Sequence, residues 1–423
     1  KDKDNKTSET IIRKCVHCGM CNATCPTYGI NGEELEGPRG RIYLIKDMLE
    51  NKKPATKQIA KHIDSCLSCY SCMTTCPSGV NYMHLIDHGR NYVEKKYKRP
   101  FTEKIFRDFL SKTLPNPKIF KFLIILAKIG QIFKFLLPKK LKSMLDVAPK
   151  KIYSKTLKFQ KIYKAEKKRP TARVALLIGC VQRVVSPQIN ESTIRVLTRH
   201  GVEVITMPEV ECCGSLNHHL GKEDLAKETF KKNINLWYDE YLKNGLDAII
   251  SNTSGCGTTL KDYGFVFRED KELKKKAKKI SELTKDVTEF LDQNLKLSFK
   301  KEKGSKKYNI AYHSACSMQH GQKVHKQPID LLERTGNKIL NIPDGHICCG
   351  SAGTYNILQS DIAEKLLKQK VENINKVKPD FISTGNIGCI MQISNGTNIP
   401  ILHTVEVIDW FTGGPKPKSL GVV

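Results

Sequence analysis

The feature that most constrains this chain is a pair of cysteine runs, "CVHCGMCNATCP" at residues 15–26 and "CLSCYSCMTTCP" at residues 66–77. Both follow C-x2-C-x2-C-x3-C-P. Three thiols at steps of three let one tight loop face three irons of a cubane. The fourth is carried off by a turn, fixed by proline, and reaches the neighbouring cluster. The spacing predicts one [4Fe–4S] cluster on Cys15, Cys18, Cys21 and Cys76, and a second on Cys66, Cys69, Cys72 and Cys25. Structural zinc usually takes its ligands in pairs from separated knuckles, whereas each run here is one block of four. Haem attachment needs C-x-x-C-H, which does not occur.

Eight further cysteines form an internal repeat. Cys180 stands 32 residues before Cys212, and Cys316 stands 32 residues before Cys348. Each leads into Cys-Cys-Gly-Ser, at Cys212 and Cys213 and again at Cys348 and Cys349, and each set closes on a Gly-Cys at Cys256 or Cys389. The flanking segments alternate in type. "ARVALLIGC" (172–180), "VEVITMP" (202–208) and "LDAIISNTSGC" (246–256) read as strands separated by helical patterns. So do "YNIAYHSAC" (308–316), "NKILNIP" (337–343) and "PDFISTGNIGC" (379–389). Such alternation predicts a parallel sheet in each lobe, with its cysteines converging beyond the carboxyl ends of the strands. Bound metal, reactive thiols and buried cysteines acting as small hydrophobes are three readings of these lobes. His218, His313 and His346 lie near the motifs as candidate metal or proton groups, or as ordinary loop histidines.

Sixteen cysteines in a chain of 423 residues without a recognisable signal peptide point to metal or redox chemistry in the cytoplasm rather than to a disulfide framework. The formal net charge of +28 comes mostly from lysines scattered through helical patterns. No zinc-finger or RRM motif accompanies them, so no nucleic-acid partner is expected. Residues 1–10, "KDKDNKTSET", are expected to be disordered. The cysteine-free stretch from 98 to 172 contains "IFKFLIILAKIGQIFKFLL" (119–137). Lysines 121, 128 and 134 make it a costly membrane span, which leaves core packing or peripheral contact with a partner or membrane surface. In "GPRGRIYLIKDMLE" (37–50), a loop entering an amphipathic helix, Arg39 and Arg41 are candidates to offset cluster charge or pair with a partner's carboxylates, or else ordinary surface arginines. No G-x-G-x-x-G fingerprint is present.

Together, "IIRKCVHCGMCNATCPTYG", "GPRGRIYLIKDMLE", "TTCPSGVNY" and the paired lobes closely resemble the iron–sulfur subunits of bacterial glycolate oxidase (glycolate dehydrogenase). The lobes are similar to the cysteine-rich "CCG" domains shared with the heterodisulfide reductase B subunit, lactate-utilisation iron–sulfur proteins and the anaerobic glycerol-3-phosphate dehydrogenase C subunit. The resemblance covers roughly residues 11–410. It implies an electron-transfer subunit with no catalytic residue of its own. FAD-containing dehydrogenase partners would oxidise glycolate or a related 2-hydroxy acid, and electrons would pass on to a quinone or other membrane acceptor. A heterodisulfide-reductase-like role, or a glycerol-3-phosphate or lactate dehydrogenase role with redox chemistry at the lobes, is the alternative. The chain would be cytoplasmic, with peripheral contact at the inner membrane as an option. The fuller family pattern ends in C-x-x-C and supplies five cysteines for a non-cubane cluster. Here Thr253 and Asn386 stand where the extra cysteine would fall. Four cysteines per lobe remain: Cys180, Cys212, Cys213 and Cys256, then Cys316, Cys348, Cys349 and Cys389. Whether one or both lobes hold a further [4Fe–4S] cluster, cubane or non-cubane, stays open at this point.

The expected fold is α+β with α/β parts. A helical two-cluster ferredoxin-like domain (1–97) precedes a basic helical linker (98–172) and a first CCG lobe (173–268). A helical linker (269–308), a second CCG lobe (309–412) with a parallel sheet like the first, and a tail (413–423) complete it.

Overall fold

The computed structural model describes residues 3–132, 145, 160–300 and 306–421. The N-terminal part is helical, and the remainder is two α/β lobes. Residues 3–10 are ordered, contrary to expectation: they open a helix, Lys3–Arg13. Ile11 and Ile12 are buried, Ser8 Oγ lies 2.6 Å from His88 Nδ1, and Asp4 pairs with Arg268 of the first lobe at 2.6 Å. Polar composition did not reveal those tertiary anchors.

The helix Pro38–Glu50 grows from the "GPRGR" motif. Gly37 is its N-cap and Pro38 its first residue, a position where proline's fixed φ and missing N–H cost nothing. Arg41, Ile42, Ile45 and Met48 recur at helical spacing and form the buried face. A Cβ at Gly40 would stand 2.2 Å from the Glu34 carbonyl. That position requires glycine.

The first lobe is a five-stranded sheet in the order β1-β3-β2-β4-β5, where β1 is Ile162–Tyr163, β2 Ala172–Leu177, β3 Val202–Ile205, β4 Ala248–Ser251 and β5 Thr284–Asp286. Only β1 runs antiparallel, against β3. The second lobe orders β7-β6-β8-β9 with all strands parallel; β6 is Asn309–Tyr312, β7 Lys338–Asn341, β8 Phe381–Thr384 and β9 Ile401–His403. Helices on both faces bury the central strands completely, as in β4 and β8, which suits their continuous apolar sequence. Residues 269–308 supply the helix Lys274–Leu283, β5 and the helix Val287–Asn294 to the first lobe. In both lobes the last strand enters its helix through a capping box, at Asp286 with Glu289 and at His403 with Glu406. Duplication thus extends beyond the cysteines.

The lobes face each other with the carboxyl ends of their strands inward. Ser254 and Ser317 hydroxyls lie 2.7 Å apart, and Asp409 of the second lobe takes Arg195 and Arg199 of the first. The stretch 119–137 enters a helix, Pro117–Ile132; residues 133–137 lie outside the described residues. Phe120 and Ile124 pack on Val184 and Val185 of the first lobe. Ile119, Phe122, Ile125 and Ile129 are exposed. Among the described residues no helix is long and apolar enough to cross a membrane.

Candidate metal centres and the cavity between the lobes

The N-terminal cysteines gather as two groups. Cys15, Cys18, Cys21 and Cys76 border one small cavity of about 30 Å³, with Cys72 on its inner wall. Burial pushes the Cys21 thiol up to about 11, and Cys15, Cys76 and Cys18 add to the effect. Cys18 is exposed, and Val16 and Met20 project beside it. His17 takes a left-handed φ of 54° in this rim, and its carbonyl accepts from Arg39. The second group is internal. Cys25, Cys66, Cys69 and Cys72 are all buried, and burial pushes the Cys72 thiol well up, with Cys69, Cys66 and Cys25 as its nearest like neighbours.

Arg41 organises this second group. Its guanidinium donates to the His62 carbonyl at 2.7 Å, Ser65 Oγ at 2.9 Å, and Thr27 Oγ1 and Glu36 Oε2 at 3.0 Å each. Its Nη1 lies 3.9 Å from Cys25 Sγ. Arg41 and Glu36 are each about 1% exposed, so Arg41 is no surface arginine and meets no partner carboxylate. Arg39 is the surface member of the pair, held by Glu34 at 2.6 Å.

The lobe cysteines sit where sheet topology puts ligand sites. Cys180 follows β2, Cys212 and Cys213 follow β3, and Cys256 follows β4, flanking the point where strand order reverses. Cys316, Cys348, Cys349 and Cys389 repeat this around β6, β7 and β8. The strands expected to end in Gly-Cys stop earlier, at Ser251 and Thr384. Cys256 and Cys389 belong instead to the first turns of the helices Ser254–Val266 and Ile387–Ser394.

The glycine after each double cysteine serves packing and conformation. Gly214 and Gly350 adopt φ of 80° and 88°, where a side chain is strained. A Cβ would also stand 2.5 Å from Phe230 or 2.7 Å from the Ala363 carbonyl. Their amides donate back to Cys212 Sγ and Cys348 Sγ at 3.3 and 3.5 Å.

The surroundings of the two thiol sets differ. In the first lobe, Asn233 donates to the Cys212 carbonyl and Tyr263 to the Cys213 carbonyl, and Thr253 donates its hydroxyl to Gln182. The hydrogen bond with Cys212, and then burial, push the Cys180 thiol well up. In the second lobe, Cys316 Sγ lies 3.8 Å from Cys348 Sγ, and Asn386 donates to Cys389 Sγ at 3.4 Å. Lys370, only 2% exposed, donates to the Asp344 carbonyl beside this set. Cys349 draws the Cys389 thiol down against burial.

Donor chemistry fits iron–sulfur clusters. Thiolates bind the irons of such clusters, and all sixteen cysteines are free thiols. Most are crowded with their kind and buried, where ionisation is costly unless a cation displaces the protons.

The three inner groups are contiguous. Cys69 packs in one buried cluster with Cys348 and Tyr355, and Cys316 borders it; Tyr355 donates to the Ser65 carbonyl at 2.9 Å. Cys66 and both lobe sets then open on one cavity of about 570 Å³ between the lobes. Apolar groups such as Phe109, Leu114, Leu123, Leu126 and Ile357 form much of its wall. At one side lies His219, which with His218 faces the buried carboxylate of Asp87 at 3.5 and 3.3 Å. Burial opposes it, yet His218 and then His219 hold Asp87 well below the usual carboxylate range, and the same partner raises His218. Sequence reasoning missed Asp87 and Lys370, which lie on unremarkable helical patterns and gain meaning only through contacts distant in sequence; it singled out the stretch 119–137, but not as a wall of this cavity.

Comparison with known proteins agrees with this arrangement. Residues 11–80 match the 4Fe-4S dicluster domain family, and residues 174–261 and 310–394 match the cysteine-rich domain family. The chain is 38% identical over 404 residues to the glycolate oxidase iron-sulfur subunit of Escherichia coli (strain K12), covering 95% of this chain and 94% of that one. It is 28% identical to the probable glycolate oxidase iron-sulfur subunit of Bacillus subtilis (strain 168), over 92% of this chain and 90% of that one. Lactate utilization protein A of Geobacillus thermodenitrificans (strain NG80-2) matches at 29% over 56% of this chain and 98% of its own. The crystal structure of a hypothetical protein from Helicobacter pylori shares the fold, with a TM-score of 0.56 at 11% identity over 100% of this chain and 74% of that one. A dicluster segment, two cysteine-rich repeats and end-to-end similarity make this chain a member of the glycolate oxidase iron–sulfur subunit family, an electron-transfer component of an oxidoreductase complex.

Proposed function

We propose that this chain carries electrons from a flavin-bearing partner that oxidises a 2-hydroxy acid, glycolate foremost, to a quinone seated between the lobes. The observation that carries this reading is the unbroken sequence of thiol groups from the exposed Cys18 rim to the apolar inter-lobe cavity. Cys15, Cys18, Cys21 and Cys76 hold one [4Fe–4S] cluster, and Cys66, Cys69, Cys72 and Cys25 hold the second. The two lobe sets, Cys180, Cys212, Cys213 and Cys256 and Cys316, Cys348, Cys349 and Cys389, hold one each. When bound, such clusters supply one-electron storage.

Val16 and Met20 make the exposed rim a docking point for the donor subunit. The cavity suits the acceptor, since organic cofactors occupy mostly apolar clefts with few polar groups. Reduction of a quinone to quinol takes two electrons and two protons. Oxidation of the hydroxy acid to its oxo acid supplies both, and His219, backed by Asp87 and His218, stands at the cavity wall to pass protons. The helices Phe101–Thr113 and Pro117–Ile132 form part of that wall and expose Phe101, Ile105, Phe122 and Ile129 outward. Lysines 118, 121 and 128 lie on the second of these helices. An apolar face with lysines suits peripheral docking on an anionic bilayer, from which a quinone would enter.

The test uses the anaerobically reconstituted, reduced chain mixed with a short-chain quinone. Quinol should form at one per two electrons, and Leu126→Arg at the cavity wall should slow it at least tenfold with the iron content unchanged. Equal rates in both proteins would refute the cavity as the acceptor site.

A further inference from the structure

Each lobe lacks the fifth cysteine of the fuller pattern, but only the second offers a substitute donor. His313 lies one residue past β6, three before Cys316. It is 1% exposed, and neither ring nitrogen has a hydrogen-bond partner. A ring nitrogen of His313 and the sulfurs of Cys349 and Cys389 all lie within 4.8 Å of one another. A buried imidazole with both nitrogens unpaired forgoes free energy, and a metal bond at one nitrogen restores it. Neutral imidazole is a common ligand for iron. The matching residue of the first lobe, three before Cys180, is Leu177, which packs in the apolar cluster with Cys213.

We infer that His313 is an iron ligand of the second-lobe cluster, the donor that replaces the cysteine missing at Asn386. The inference rests on the reading that this lobe binds a cluster. It makes the two lobes unequal: the first holds its cluster with four thiolates, the second with four thiolates and an imidazole. Asn386, 3.4 Å from Cys389 Sγ, then steadies a ligand sulfur instead of providing one. Imidazole is neutral where thiolate is anionic, and replacing cysteine by histidine raises a cluster's potential. Buried Lys370 beside the same set acts in the same direction. The second-lobe cluster, which adjoins Cys69 of the N-terminal domain, therefore lies at a higher potential than a fifth cysteine in place of His313 would give it.

The test is an anaerobic crystal structure of the full reconstituted chain, with iron located by anomalous scattering, beside the variants His313→Ala and His313→Cys. Expected is iron in the second lobe with a bond of about 2.0–2.1 Å to an imidazole nitrogen, the length of a zinc–histidine bond. His313→Cys should keep that cluster and shift its potential downward, and His313→Ala should lose or deplete iron there alone, with the N-terminal clusters intact as the internal control of folding. Iron in the second lobe with the His313 ring turned away, or only hydrogen-bonded to a sulfur, would overturn the ligand assignment while leaving the cluster reading intact. A second lobe free of iron would overturn both.

Discussion

The Arg41→Met variant tests how the N-terminal domain holds its inner thiol group. Arg41 donates to Glu36, Thr27, Ser65 and the His62 carbonyl at 2.7–3.0 Å, wholly out of water. Methionine fills much of the volume but leaves the Glu36 carboxylate with only His62 and Ser65 as partners. Removing one member of a buried ion pair costs about 3–5 kcal/mol, chiefly because the other charge is stranded. For a domain of this size that corresponds to a fall in midpoint of about 12 °C or more. Anaerobic thermal unfolding followed by cluster absorbance and circular dichroism would measure it. The loss should fall first on the inner group, since Cys25 and Ser65 both touch the guanidinium. About four irons should leave before the outer cluster does, at four per cubane. Adding Glu36→Gln to the variant removes the stranded charge and should recover about 1–3 kcal/mol. A single variant that keeps its iron and unfolds within about 0.5 kcal/mol of the parent, the range of ordinary surface changes, would refute the reasoning.

Other expectations follow from the same contacts. Gly350→Ala, at φ 88° and 2.7 Å from the Ala363 carbonyl, should empty the second lobe of iron. Gly353→Ala, at φ 65° with open space around it, should cost only about 1–2 kcal/mol, and equal iron contents in the two would contradict the packing role. Burial depresses His403 to about 4, so its contribution to stability is complete above its unfolded value near 6.5 and is lost as pH falls toward 4. Glu406, pushed up to about 7 by burial, acts oppositely and loses its contribution as pH rises from about 4.5 through 7. Relative to His403→Asn, which keeps a capping side chain, the parent should lose about 2 kcal/mol between about pH 7.5 and 5; parallel urea midpoints would exclude this. Phe122→Glu with Ile129→Glu, both exposed, should abolish co-sedimentation with anionic vesicles and leave unfolding unchanged, and undiminished binding would rule out that face. Asp87→Asn withdraws the carboxylate that raises His218, so the pH profile of quinone reduction should shift to lower pH; an unmoved profile would exclude the cluster as proton source.

Much of the architecture was legible because it is periodic. Strand, helix and cysteine recur at matching offsets in the two lobes, and parallel strands force ligands to one sheet edge. The convergence of Cys180 with Cys212, and of Cys316 with Cys348, follows from that rule. Illegible features depend on contacts between distant segments. Arg41 lies on an amphipathic pattern whose polar positions ordinarily face solvent, and only the Glu36 and Ser65 loops closing over it make it internal. Nothing local distinguishes Lys370 from the other lysines of its helix. His313 stood in plain sight three residues before a cysteine. Its two unpaired nitrogens, and the leucine at the matching place in the other lobe, give it a meaning that spacing alone could not. The polar N-terminus misled for a related reason: its anchors, His88 and Arg268, are supplied from elsewhere in the chain.

Iron and acid-labile sulfide, counted on the full chain purified anaerobically with its partners removed, test the central claim most directly. With all four thiol groups filled, about sixteen of each are expected, at four per cluster. About eight would leave the lobes empty and end the path at Cys69, and a colourless protein holding zinc would contradict the account altogether.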